Sequence, residues 1–398
     1  MTSWMNRLLR KGTQQTTANH AQQDKNIDLA PLLAMHALGP ARWTNRSVIA
    51  LTHEGYERNP IVYRAVRMIV ESAASIPWTM FIEREELTHH PVIDLITRPN
   101  PAEEGTTFLE GLYTHLLLFG NAYVEANRLN EKPVELYCLR PDRVTIEARS
   151  NGWPLAYEYR VGAHMMRYPV NEQGLSDILH LKLFNPLDDH YGFAPLQAAQ
   201  MAIDIHNAAS FWNKALLDNA ARPSGALVYA PHSGASLTRD QFDRLKSELE
   251  ESFSGARNAG RPLLLEGGLD WKALSLSPRD MDFVEAKAIA AREIALAFGV
   301  PPMLMGIPGD NTYSNYQEAH RAFWRQTIIP LVARSQKSFS NWLQSDFGAF
   351  RFDYDVDRIE ALAGERAAEW DRIGKADFLT PDEKRQALGY GKDRIRRW

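Results

Sequence analysis

One cysteine, Cys138, is all that the 398 residues offer. No disulfide can form within the chain, which fits a reducing compartment. A lone Cys in the β-like stretch PVELYCLRP reads as a small core residue rather than a nucleophile. Positive charge is not in excess either: 45 Lys and Arg stand against 49 Asp and Glu, a formal net charge of −4. Proteins that hold nucleic acid by neutralising many phosphates carry a basic surplus, so any contact with DNA is expected to be weak or local. No apolar run is long enough to span a bilayer, since the longest, Ile294 to Ile307, is broken by Gly and Pro. The opening MTSWMNRLLRKG is basic but lacks an apolar h-region, so it does not read as a signal peptide. A disordered or partner-bound tail is the better reading of it than a membrane-surface helix. The expectation is a soluble, cytoplasmic chain.

The signatures of common catalysts are missing too. There is no G-x-x-x-x-G-K-[ST] phosphate loop, no H-E-x-x-H, no C-x-x-C and no G-x-S-x-G. Three groups of chemistry-bearing residues remain. Asp353, Asp355 and Asp357 alternate in RFDYDVD, which puts three carboxylates on one strand face and invites a divalent cation. The glycine and distal glutamate of a calcium loop are lacking, and a solvated strand face with Phe352, Tyr354 and Val356 turned inward is the stronger reading. His89 and His90 precede a proline with no Cys or third His at ligand spacing, which favours capping or a surface position. Asp188, Asp189 and His190 in FNPLDDHYG would suit general acid–base work, and a turn accounts for them equally well. No metal or cofactor is expected. An enzyme built on Asp188, Asp189 and His190 is kept only as a rival reading.

The chain begins with a polar lead-in over residues 12 to 30. NPIVYRAVRMIVESAA then sets Ile61, Val62, Ala65, Val66, Ile69 and Val70 on one helical stripe. Strand-like segments follow, IPWTMFIE, GNAYVEANRL, VELYCLRPDRVTIEAR and PLAYEYRV, with a helix over about Thr107 to Phe119. From GFAPLQAA to Arg222-Pro223 runs one long Ala-rich helical pattern, roughly 40 Å at 1.5 Å per residue. A small insert comes next: strand-like GALVYAP, a helix opened by the capping-box pattern of Thr238 and Gln241, then two strands in RPLLLEGG and LDWKALSL. A second Ala-rich helix starts at Ser277-Pro278 and ends at Phe298. A third spans about Tyr316 to Leu343, where Pro330 is expected to cause a kink. FLTPDEKRQALGYG carries another capping box at Thr380 and Glu383.

Between the second and third long helices lies FGVPPMLMGIPGDNTYSN, a loop stiffened by three prolines, loosened by three glycines and apolar where surface loops are polar. In this order the pieces resemble the portal (head-to-tail connector) proteins of long-tailed double-stranded DNA bacteriophages, and the similar portal of gene transfer agents. The matching stretches are NPIVYRAVRMIVESAASIPW, RPNPAEEGTTFLEGLYTHLLLFGNAYVE, YGFAPLQAA, AFGVPPMLMG followed by TYSN, and FLTPDEKRQALGYG. Each is weak alone, and their order carries the resemblance over most of residues 59 to 390. The last departs in detail, with Asp382 where the family often has Asn before the Glu.

The resemblance implies an α+β portal fold and a ring-forming subunit. It divides the chain into an N-terminal tail (1–30), a wing (31–193), a first stem helix (194–221), a clip (222–276) and a second stem helix (277–298). A tunnel loop (299–315), a kinked wing helix with its strand (316–358) and a crown (359–398) follow. It implies a structural, non-enzymatic protein, a dodecameric ring at one capsid vertex of the virion, assembled in the bacterial host cytoplasm. The ring would pass double-stranded DNA without sequence preference. The clip, through Phe242, Arg244, Lys246, Glu250 and Trp271, would dock the large terminase and then the neck or tail adaptor, while the major capsid protein surrounds the ring. No membrane partner is implied. Another head–tail connector component is the rival within this class.

In that family the loop narrows the channel, so Val300, Pro301, Pro302, Met303, Leu304, Met305, Ile307, Asn311, Tyr313 and Asn315 would line it. An uncharged lining offers phosphates no wells to settle in, Pro301 and Pro302 fix φ, and Gly299, Gly306 and Gly309 leave room for movement. The alternative is that Val300, Met303 and Leu304 pack in the subunit's own core. The basic tail, Lys392, Arg394, Arg396 and Arg397, would face packaged DNA from the crown, or is a solvated terminus.

Overall fold

The computed structural model describes residues 33–34, 47–83, 85–218, 225–229, 238–240, 243–244, 269–273, 283–309, 313–355 and 359–388. It forms two compact units, Met1–Gly39 with Asn219–Ser275, and Pro40–Asp218 with Leu276–Trp398. In the first, Gly225–Tyr229 is the middle strand of an antiparallel sheet between Leu33–Ala34 and Leu269–Ala273. Leu33 faces Leu227, and Gly225 faces Ala273. Leu33–Ala34, which the resemblance places in the stretch from residue 31 onward, thus pairs with a strand of the insert. A strand edge offers unpaired N–H and C=O groups that any extended segment can satisfy. Two residues are too few to show a period, so the sequence carries no sign of the pairing.

The second unit is built round the helix Pro60–Ala74. The Asn59 side chain accepts from the Ile61 N–H at 3.0 Å and the Val62 N–H at 3.2 Å, and Pro60 supplies the first turn. Val62, Ala65, Val66, Ile69, Val70 and Ala73 are fully buried along one face, which packs on the helix Gly105–Phe119. That helix stops at Gly120, whose left-handed φ of +72° only glycine adopts without strain. A Cβ there would also press to 2.5 Å from the Gly192 carbonyl oxygen.

Three antiparallel three-stranded sheets surround these helices. Asn121–Leu129 sits between Lys132–Leu139 and Ile178–Lys182. Its hairpin turn is Asn130-Glu131, both at positive φ, the pattern of a primed two-residue turn. Val144–Ala148, Pro154–Val161 and His164–Pro169 form a meander. Trp78–Ile82 lies between Arg351–Tyr354 and Glu85–Leu87. Trp78 meets Phe339 at 5.5 Å and Phe352 at 5.1 Å between ring centroids, closing the core over that sheet. The long helix in which a kink is expected is interrupted by a π turn. The helix Tyr313–Phe323 passes through a π turn, Trp324–Ile328, into Ile329–Phe347. Pro330, with no N–H to give, thus stands in the first turn of the last segment, where that loss is tolerated. The pattern read as one helix from residue 194 is likewise split, into Pro195–Ala198 and Gln200–Asp218. Among the described residues no helix is long and apolar enough to cross a membrane.

Candidate functional site at two packed helices and the following loop

Gln200–Asp218 and Phe283–Phe298 pack side by side. The first buries Ala202, Ile203, His206 and Ala209, and the second Ala290, Ala291, Ile294, Ala295 and Phe298. These recur at three- and four-residue steps, one stripe per helix. Asn59 links the helix Gln200–Asp218 to the helix Pro60–Ala74. Asn59, besides capping its own helix, lies with Nδ2 3.1 Å from His206 Nδ1 and donates to Asn207 Oδ1 at 2.9 Å. Asn207 donates onward to the Glu54 carbonyl at 2.9 Å. Burial, and then the Lys287 cation, hold the His206 pKa below its ordinary value, and a neutral imidazole is what can accept at Nδ1.

The loop starts from a well-defined helix end. Gly299 has φ +69°; its N–H bonds the Leu296 carbonyl at 3.0 Å, and the Val300 N–H bonds the Ala295 carbonyl at 2.9 Å. These are the two bonds of a Schellman motif. Pro302–Met305 forms one 3-10 turn that closes at Gly306, φ +73°. The Ile307 N–H then returns to the Pro302 carbonyl at 3.2 Å, so the chain doubles back over its own turn.

That geometry decides where the apolar residues go. Val300 and Leu304 are buried in the main core, and Ile307 is buried with Ala291 and Ala295 of the helix Phe283–Phe298. In the subunit these three side chains are core, the alternative held open for Val300 and Leu304. Pro301, Pro302, Met303 and Met305 are half-buried, whereas Gly306, Pro308, Gly309 and Asn315 are exposed. Tyr313 opens the next helix, and Asn311 lies outside the described residues. The accessible part of the loop is therefore its far, backbone-rich end.

A cation stands there that the sequence reading does not anticipate. The exposed Arg292 donates from its guanidinium to the Pro308 carbonyl. It sits so close to Gly309 that a Cβ at that position would come within 2.7 Å of it. Its helical neighbours three and four residues away are Ala288, Ile289, Ala295 and Leu296, none of them a carboxylate. That pattern, a helical Arg without a helical partner, is the signal that would have found it.

Residues 60–389 match the family model for phage portal protein. The chain belongs to the phage portal protein family. Two solved structures are 47% identical to it over 89% of its length: the neck of an empty GTA particle computed with C6 symmetry (96% of that chain, TM-score 0.70) and the neck of a native GTA particle computed with C12 symmetry (97% of that chain, TM-score 0.67). The portal protein of Enterobacteria phage HK97 is 24% identical over 341 residues, 82% of this chain and 77% of its own. The α+β portal fold stands with this family, a structural class rather than an enzymatic one.

The remaining candidates of this portal chain are structural parts where they are described. Asp188 Oδ1 accepts from the His190 N–H at 2.8 Å and the Tyr191 N–H at 2.9 Å, and those bonds, Tyr191's first, hold its carboxyl pKa low. Asn185 braces the same loop through the Tyr191 carbonyl and the Leu187 N–H, and Lys182 Nζ donates to the Asp189 carbonyl. This is a self-capped turn. Asp353 accepts from Arg351 at 2.7 Å and from the Tyr354 N–H at 2.9 Å. Asp355 is half-buried and Asp357 lies outside the described residues. Among the described residues no three His, Cys, Asp or Glu gather as metal ligands. His90 Nδ1 accepts from the Val92 N–H at 3.2 Å, the cap of Pro91–Thr97, while His89 is exposed. Cys138 is half-buried, and desolvation raises its thiol pKa. Arg244 is exposed and Trp271 lies in the strand Leu269–Ala273. Phe242, Lys246, Glu250, Lys392, Arg394, Arg396 and Arg397 lie outside the described residues.

Proposed function

We propose that this chain is the portal subunit of a phage-type particle, and of a gene transfer agent in particular. Twelve copies form a ring at one capsid vertex, and the ring's channel passes double-stranded DNA in packaging and ejection. The observation that carries this reading is the 47% identity, over 89% of the chain, to the subunit of a neck computed with C12 symmetry. The insert that contains Gly225–Tyr229 and Leu269–Ala273 is the clip, which docks the large terminase and later the neck adaptor. The major capsid protein encloses the ring. The motor's ATPase is a separate protein, in keeping with the lack of a phosphate loop in this sequence. The crown's basic tail lies toward the packaged DNA.

The loop contributes by position rather than by grip. Its core half anchors it to the stem through Val300, Leu304 and Ile307, and its exposed half, Gly306 to Gly309, is presented to the channel. DNA meets backbone and small residues there, and the cation beside them, Arg292, is engaged by the Pro308 carbonyl.

Native mass spectrometry with negative-stain imaging of the purified chain, alongside the protein content of purified particles, tests this. A ring of twelve with a central hole, and the chain present at that copy number in particles, is expected. A protein that remains a monomer at every concentration and is absent from particles would overturn the proposal and return attention to Asp188.

A further inference from the structure

The turn that Asp188 caps also forms one wall of a cavity of about 360 Å³. Small-molecule sites begin at about 300 Å³. Asn185, Asp188 and Tyr191 border it together with Asp142, Phe119 and Tyr123. Tyr123 is the unusual member. It is 1% exposed, yet its hydroxyl has no hydrogen-bond partner among the described residues. The ring is fixed in place, stacked on His180 at 4.4 Å between centroids and edge-on to Tyr157 at 6.1 Å. Burial, then the neighbouring Tyr191, Tyr157 and Asp188, raise its pKa. The group at the cavity is therefore a neutral phenol, able both to give and to accept a hydrogen bond. A buried polar atom left unpaired is costly and calls for an explanation.

Charge selects what could supply that partner. Of the two carboxylates, Asp142 is gripped by Arg140, through Nε at 3.0 Å and Nη2 at 2.8 Å. Asp188 rests on the Tyr191 and His190 N–H groups instead, bonds that favour its charged form. Lys182, close by, gives its Nζ to the Asp189 carbonyl. An anion would meet the Asp188 charge head-on, whereas a cation is drawn to it. Phe119, Tyr123 and Tyr191 are aromatic neighbours of the kind that surround bound cations. We propose that this cavity binds one organic cation, a guanidinium or ammonium group on a short alkyl stem, which gives its N–H groups to the Tyr123 hydroxyl and the Asp188 carboxylate. An arginine or lysine side chain of another protein chain presents that group, and so does a free alkylamine or alkylguanidine. A bare metal ion suits the cavity less, since among the described residues no three His, Cys, Asp or Glu gather as ligands. The inference stands independently of the ring reading.

Titration calorimetry on the full-length chain tests it with three probes at equal ionic strength: acetyl-arginine methylamide, methylguanidinium, and the uncharged acetyl-citrulline methylamide. Saturable binding of both cations, and none of the citrulline compound over the same range, is expected. Tighter binding of the arginine compound than of methylguanidinium would mark a polypeptide side chain as the natural source; equal binding would mark a free cation. Tyr123→Phe is expected to weaken binding about tenfold, the worth of one hydrogen bond to a charged group. Its melting temperature should stay that of wild type, because the hydroxyl it removes bonds nothing among the described residues. Asp188→Asn should weaken binding at least as much, while its amide oxygen can still cap the turn. Should that variant melt early, Tyr123→Phe decides alone. No saturable binding of either cation, or equal binding of the citrulline compound, would overturn the proposal. Cations that bind Tyr123→Phe as tightly as wild type would overturn it too, since they would then sit elsewhere.

Discussion

The Thr327 hydroxyl donates to the Gly299 carbonyl at 2.6 Å, and it fills the space that a side chain at position 299 would need, 2.8 Å from the ideal Cβ. The start of the loop is thus fixed to the π turn of the following helix from two directions. Gly299→Ala must take φ +69° and push Thr327 aside. The left-handed backbone costs about 1–2 kcal/mol for a non-glycine residue, and the displaced bond adds about 1 kcal/mol. A fall of about 2–3 kcal/mol in unfolding free energy by urea titration is expected. An unchanged midpoint would show that the brace is not holding the loop.

Asn59 has three tasks at one buried position: it caps Pro60–Ala74, meets His206 and donates to Asn207. Asn59→Ala removes the cap, about 1 kcal/mol, and leaves His206 and Asn207 short of a partner in a buried setting, about 1–3 kcal/mol more. Asn59→Asp keeps the acceptor for the two N–H groups but loses both donated bonds. The expected order of thermal stability is wild type, then Asp, then Ala. Ala matching wild type would mean that the helix Gln200–Asp218 is held by its apolar contacts alone.

Acid is expected to weaken the subunit before its carboxylates titrate. Burial lowers the pKa of His115 to about 4 and of His180 to about 3, and lowers that of His206. The folded state therefore holds fewer protons than the unfolded chain, whose histidines titrate near 6.5. Stability is fully present above that value and is lost as pH falls from it toward the folded pKa. For His115 the loss from pH 7 to pH 5 is about 2 kcal/mol. His115→Met should flatten the slope of melting temperature against pH between 6.5 and 5. An equal slope in that variant would remove His115 from the account.

Local signals are legible in a sequence and long-range backbone pairings are not. The stripe of Pro60–Ala74 and the capping box at Thr380 are local, so spacing alone revealed them. The pairing of Leu33–Ala34 with Gly225–Tyr229 joins segments nearly two hundred residues apart through backbone atoms, which leave no side-chain trace. The loop was legible as stiff and apolar, but composition does not tell an oily lining from an oily anchor. Only the placement of Val300, Leu304 and Ile307 inside the subunit separates the two.

That separation gives the loop a test with two arms. Val300 is 2% exposed, so Val300→Lys would bury an ammonium with no partner. Such a change costs several kcal/mol in practice, and loss of soluble, folded subunit is expected. Under the channel proposal this variant says nothing about DNA, since it fails earlier. Pro308 is exposed and offers its carbonyl, not its side chain, to Arg292. Pro308→Lys should therefore melt within about 1 kcal/mol of wild type and form the same ring. If the exposed end of the loop faces passing DNA, the added cations supply phosphate contacts that slow translocation, and particles should carry less DNA at equal ring content. Full particles from Pro308→Lys would place that end of the loop away from the duplex while leaving the fold and the ring untouched. Soluble, ring-forming Val300→Lys would be the more damaging result, because the core packing described for this loop would then be wrong.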